Sequence, residues 1–126
     1  PHLPPCGILV IKPRYSISTK SLFQKMGAGP LQQRPDTQAM LRALEEGDLE
    51  KIGANLRNVM EPVACALHPQ EQELREKLLA EKALGARMTG SGSALYGLFE
   101  NTQQAEKAAE AFRKLPVETF VCTPVF

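Results

Sequence analysis

Nowhere does the chain hold the roughly 18 consecutive apolar residues that a membrane-spanning helix requires, and the charged and apolar blocks of a signal peptide are missing too. No membrane partner is expected. Charge of one sign is also lacking: 15 Lys and Arg stand against 14 Asp and Glu, a formal net charge of +1. Without a basic block or interleaved aromatic and basic residues there is no dedicated nucleic-acid surface, although a nucleotide can still bind locally. Cysteine is scarce and odd in number. Cys6, Cys65 and Cys122 lie far apart without a CxxC spacing, which argues against a disulfide framework or a zinc site and for cytosolic thiols, buried or semi-buried. The two histidines, His2 and His68, have no Cys or Asp beside them in a ligand-like pattern. His68 precedes Pro69 at a predicted helix start, where a capping or surface role is expected. No His-x-x-x-His, Asp-rich or Gly-Lys-Ser/Thr motif occurs, and no acid–base pair stands beside a nucleophile. The chain has parts of a binding site without a catalytic engine.

What is present suits one globular domain: 126 residues, 43% hydrophobic and 23% charged. A chain of this size buries roughly 65% of its unfolded surface, which leaves no room for a second catalytic lobe. The opening PHLPPCG has no Met and enters a strand-like run within seven residues. Proline-rich openings of this kind read as interdomain linkers. Residues 1–6 are therefore expected to be a linker remnant and residues 7–126 a domain cut from something larger.

Gly7 to Pro13 is a short β-branched run bounded by Gly and Pro, a buried strand. Ser18 or Thr19 can N-cap a helix through Met26, which Gly27 to Pro30 stops before a polar loop over Leu31 to Pro35. Asp36 caps a helix to about Glu46, ended by Gly47. Asp48 caps another, in which Leu49, Ile52, Leu56 and Val59 form an apolar stripe until Pro62 breaks it. Pro69 opens a helix to about Leu84 with Leu74 and Leu78 on one face, its charged residues on a solvated face, and Gly85 at its end. Ala86 to Thr89 and Ala94 to Phe99 are two strands. Asn101 or Thr102 caps a helix through Lys114, with Ala105, Ala108, Ala109 and Phe112 facing the core, and Glu118 to Pro124 is a last strand. No internal repeat is present. Four strands with grouped helices make an α+β fold: a mainly antiparallel four-stranded sheet with helices packed on one face.

Three segments bear on chemistry. In Gly85-Ala86-Arg87-Met88-Thr89-Gly90-Ser91-Gly92-Ser93-Ala94, glycines let backbone N–H groups turn toward an anion and hydroxyls add donors. That is the chemistry of a phosphate-cradling loop, and the plainer alternative is an ordinary glycine turn between strands. Lys12 to Thr19, followed by Phe23, leads from a strand through Pro13 into a hydroxyl-rich helix start, where Tyr15 and Phe23 offer flat apolar rings. By residue type alone, capping and core packing explain this segment better. Asn58-Val59-Met60-Glu61-Pro62 reads as a helix end whose polar side chains satisfy backbone groups.

In this order and at these separations, VIKPRYSISTKSLF, NVMEP and GARMTGSGSALYGLF resemble the C-terminal half of the 4-diphosphocytidyl-2-C-methyl-D-erythritol kinases. These belong to the galactokinase, homoserine, mevalonate and phosphomevalonate (GHMP) kinase superfamily. The resemblance spans Leu3 to Phe126. Its glycine segment is shared across the superfamily, whereas Pro-x-x-Ser-Ile-Ser-Thr points to this one kinase. It implies a ferredoxin-like variant of the α+β fold. It also implies transfer of the γ-phosphoryl of ATP, with Mg²⁺ on the phosphates, to the 2-hydroxyl of a cytidyl diphospho-methylerythritol, in the non-mevalonate route to isoprenoid precursors. The implied setting is bacterial cytoplasm or plastid stroma. In the family, the long glycine-rich loop over ATP and the catalytic Asp and Lys lie in the N-terminal domain, the implied partner of this chain. None of those segments is present, so no catalytic residue and weak or no turnover are expected of the 126 residues alone. The resemblance makes Thr89, Gly90, Ser91 and Gly92 a support of the phosphate-binding region. It makes Phe23 a ring packing on the cytosine, and Thr19 a residue at the rim of that pocket. Tyr15 stays undecided.

A sister kinase acting on mevalonate or homoserine, and a non-catalytic α+β binding or dimerisation module, are the competing expectations.

Overall fold

The computed structural model describes residues 3–26, 36–90 and 92–124, without the side chains of residues 19, 23, 25 and 26. The expected glycine stop and polar loop after α1 lie outside the described residues. Among the described residues ten elements follow in order: β1 (Gly7–Pro13), α1 (Thr19–Met26), α2 (Thr37–Glu46), α3 (Leu49–Ala54), α4 (Glu61–Leu67), α5 (Pro69–Ala80), β2 (Gly85–Met88), β3 (Leu95–Phe99), α6 (Thr102–Glu110) and β4 (Val117–Cys122). The strands make one antiparallel sheet in the order β2-β3-β1-β4. This is the split arrangement of a ferredoxin-like fold.

Strand alternation decides what each face carries. Leu9 and Ile11 of β1 and Leu95 and Phe99 of β3 point to one face, where they meet Leu74 and Leu78 of α5, Ala105 and Ala108 of α6, and Phe112. Small residues on α6 let that helix lie close to the sheet. Burying each large apolar side chain here contributes about 1.5–3 kcal/mol. Ile8 and Leu98, paired across β1 and β3, point the other way and join Cys6, Ala43 and Ile52, with Leu3 packed beside them. The helices α2 and α3 thus add a smaller cluster to the fold that α5 and α6 define. Cys122 is exposed on β4, so the expectation that all three thiols are buried or semi-buried does not hold. Odd-numbered β4 residues point to the core, and Cys122 has the other parity.

Several boundaries move. The apolar stripe from Leu49 to Val59 does not form one helix: α3 stops at Ala54. The Asn55 side chain closes that end by donating to the Lys51 carbonyl, and the Arg57 guanidinium takes the carbonyls of Ala54 and Leu56. Pro62 does not break a helix but sits in the first turn of α4, where its missing N–H costs nothing. The next helix, α5, ends at Ala80 rather than near Leu84. Gly85 is no helix stop; it opens β2, and a Cβ there would run into the backbone of Gly53 on α3. The charged face read on α5 is only partly solvated, because Glu71 is fully buried. The last helix, α6, ends at Glu110, yet Phe112 still fills the core from the turn that follows.

Candidate functional site

The glycine turn leaves β2 at Met88 and enters β3 at Leu95. Two backbone bonds close it: Thr89 N donates to Ala94 O at 2.8 Å and Gly92 N to Thr89 O at 2.9 Å. Gly90 has φ +52° and Gly92 φ +87°, the left-handed region that glycine adopts without strain. Around Gly90 a Cβ would meet no described atom within 4 Å, whereas at Gly92 it would meet Ile17 Cδ1 at 2.7 Å and Met88 Sδ at 2.8 Å. The outer half of the turn, Thr89 and Gly90, is therefore exposed, and its inner half is pressed onto the protein. Ser91 lies outside the described residues.

The turn is held from behind by the Asn58–Glu61 segment. Asn58 Nδ2 donates to Met88 O at 2.7 Å and to Gly90 O at 2.8 Å, while its Oδ1 accepts from Met60 N at 2.9 Å. The Glu61 carboxylate, 4% exposed, accepts from Met88 N at 2.7 Å and from Arg87 at 3.0 Å, with Arg75 Nε at 3.5 Å. Both guanidinium groups also cap carbonyls, Arg75 that of Ala86 and Arg87 that of Leu56. The expectation that Asn58 and Glu61 satisfy backbone groups is right in kind. Besides the nearby Met60 N, the backbone groups they satisfy lie 27 to 32 residues ahead, at Met88 on the end of β2 and at Gly90 in the turn. No local pattern in the sequence marks that range.

Ser18 is the N-cap of α1: its side chain accepts from Ser21 N at 3.2 Å and its carbonyl from Leu22 N at 3.1 Å. Thr19 is thus the first helical residue, and Phe23 follows one turn later on the same side of the helix; their side chains lie outside the described residues. Leu22 is buried with Ile17, Ala64 and Met88. Through Ile17 and Met88, the first turn of α1 stands against the base of the glycine turn. Two of the three sequence segments meet here, and the third braces them.

His68 makes no side-chain cap, contrary to one expectation; its ring stacks on Tyr15, with centroids 5.5 Å apart and planes 12° from parallel. Sequence reasoning missed Glu71, which accepts a 2.5 Å hydrogen bond from Tyr15. Burial pushes its carboxyl above the ordinary range, the Tyr15 bond works in the opposite direction, and Glu61 adds to the rise. Burial likewise drives the Tyr15 hydroxyl well upward, reinforced by Glu71. The half-buried Cys65 thiol is pushed up to about 11, mainly by burial and then by Glu61 and Glu71. Among the described residues no group of three His, Cys, Asp or Glu is placed to hold a metal, and no helix is long and apolar enough to cross a membrane.

The family described as GHMP kinases C terminal matches residues 40–117, which take in the brace, the glycine turn and the strands β2 and β3 on either side of it. The chain belongs to the GHMP kinase family, as its C-terminal domain. Within it, the chain is 35% identical over 118 residues to the 4-diphosphocytidyl-2-C-methyl-D-erythritol kinase of Pelotomaculum thermopropionicum. That match covers 94% of this chain and 41% of the relative, so the chain spans about two fifths of the relative's length. A crystal structure of 4-(cytidine 5'-diphospho)-2C-methyl-D-erythritol kinase superposes with a TM-score of 0.76 at 30% identity, covering 97% of this chain and 44% of that one. Homoserine kinase from Cytophaga hutchinsonii shares the GHMP fold at TM-score 0.70 and 20% identity, covering 95% of this chain and 41% of its own.

Proposed function

We propose that this GHMP domain is the C-terminal half of an ATP-dependent kinase that phosphorylates the 2-hydroxyl of 4-diphosphocytidyl-2-C-methyl-D-erythritol, in the cytoplasm. The observation that carries the reading is the junction of the glycine turn with the first turn of α1 through Gly92, Ile17 and Met88, in a chain 35% identical to such a kinase over 94% of its length. On this reading residues 7–126 are the domain and residues 1–6 lead into it from an N-terminal domain.

Each part then has a task that suits its chemistry. Thr89, Gly90, Ser91 and Gly92 support the phosphate region. The open space around Gly90 lets backbone approach an anion closely, and the Asn58 and Glu61 brace keeps the turn from reorganising as charge moves. Phe23 stacks on the cytosine, an interaction worth about 1–3 kcal/mol per base, and Thr19 stands at the pocket rim. ATP brings the phosphoryl group. Mg²⁺ in such sites is held by the substrate phosphates with one or two carboxylates, and the described residues offer no cluster of three His, Cys, Asp or Glu. It falls to the phosphates and the N-terminal half, and no step is routed through it.

The test is ADP release by the complete gene product with the cytidyl substrate and ATP·Mg²⁺. Substrate-dependent release is expected. Release with homoserine or mevalonate instead would move the reading to a sister kinase, and none with any of them from folded protein would overturn it.

A further inference from the structure

Tyr15 has no task in the site as proposed, yet several parts of the fold converge on it. Its carbonyl accepts from Ser93 Oγ at 2.7 Å, and Ser93 lies in the glycine turn, next to Gly92. Its hydroxyl donates to Glu71 of α5, and its ring stacks on His68 between α4 and α5. Two residues on, Ile17 reaches Gly92 and packs with Leu22 of α1 and Met88 of β2. Glu71 is fully buried, and among the described residues its Oε2 has no hydrogen-bond partner. A buried carboxyl with one oxygen unpartnered destabilises the fold, and packing alone would be served better by a leucine. What Glu71 supplies that leucine cannot is an acceptor for Tyr15.

We infer that Tyr15 and Glu71 are positioning residues that hold the glycine turn and the first turn of α1 at one fixed spacing. For its kinetic consequence this rests on the proposed function, in which the turn serves the phosphates and α1 the cytidyl substrate. Each ligand would still bind its own half if the spacing drifted, but the reacting atoms would part. A misplacement near 1 Å slows such a transfer by about a hundredfold.

The decisive variant is Tyr15→Phe, which keeps the ring, the stack on His68 and the carbonyl, and removes only the hydroxyl. In the complete gene product kcat is expected to fall about tenfold or more, with KM for both substrates held within about twofold. Ser93→Ala should act alike, and the double variant should be about as slow as the worse single one, because both cut the same link. Glu71→Gln, which keeps an acceptor oxygen, should recover most of the rate that Glu71→Leu loses. A readout independent of catalysis is hydrogen exchange. Tyr15→Phe should speed exchange at Thr89 and Gly92 in the turn and at Leu22 in α1 together, these amides being bonded to Ala94, Thr89 and Ser18. Additive rate losses, a KM rise at unchanged kcat, or faster exchange on one side only would overturn the inference. If the wild-type protein does not act on the cytidyl substrate the proposed function fails, and the exchange result still decides this point. Should Tyr15→Phe not fold, Ser93→Ala carries both readouts.

Discussion

Replacing Glu61 by Ala removes the acceptor on which the brace behind the glycine turn depends. Three donors lose it: Met88 N in the buried strand, Arg87 at 3.0 Å and Arg75 at 3.5 Å. Breaking a buried ion pair from one side costs about 3–5 kcal/mol. The two arginine side chains are 15% and 21% exposed and keep their bonds to the carbonyls of Leu56 and Ala86. The lower end, about 3 kcal/mol, is therefore expected. A chain of 126 residues at about 2.1 cal/mol/K per residue has an unfolding entropy of roughly 260 cal/mol/K, so the midpoint should drop by roughly 11 °C. Glu61→Gln keeps the shape and an acceptor for Met88 N but loses the charge, and should lose only about 1–2 kcal/mol. Urea titration at 25 °C and thermal unfolding followed by circular dichroism give both numbers. If Glu61→Ala lost less than about 1 kcal/mol, the carboxylate would not be the keystone described, and the arginines would be holding the turn without it.

Gly92→Ala should be far worse than Gly90→Ala. At Gly92 a methyl adds a clash with Ile17 and Met88 to the left-handed strain, whereas at Gly90 only the strain applies, about 1–2 kcal/mol; unfolding curves of the two variants check the order. Glu71 binds its proton more tightly folded than unfolded, so its stabilising share is complete below the ordinary carboxyl value of 4.5 and is lost as pH rises through the raised value. Stability measured across that window should decline in the wild type and decline less in Glu71→Gln; parallel curves would refute the assignment. With a thiol pushed up to about 11, Cys65 carries about one thiolate per thousand molecules at pH 8. Alkylation mapped by mass spectrometry should therefore mark exposed Cys122 first, and equal rates would contradict the burial of Cys65.

Local signals carried much of this fold. β1 from Gly7 to Pro13, the Asp36 and Asp48 caps, the two strands around the glycine turn and the α5 stripe of Leu74 and Leu78 follow from periodicity, β-branching and capping, which act within a few residues. The glycine turn was visible as a candidate because Gly90 and Gly92 stand out in sequence. Its brace was not: Asn58 and Glu61 look like any helix-end residues until the chain folds them against β2.

By itself, then, the sequence determined most of the elements, α4 (Glu61–Leu67) excepted, the antiparallel α+β class and the segments of interest, because those depend on interactions of short range. Only the tertiary structure decided that Glu61 and Glu71 go inside, that Gly85 answers Gly53, and that Tyr15 joins the glycine turn to α1. Whether a glutamate on a charged helix faces water or an acceptor-seeking partner depends on what packs over it. That partner stands 26 or 27 residues away for Glu61 and 56 for Glu71, beyond the reach of any helical or strand period.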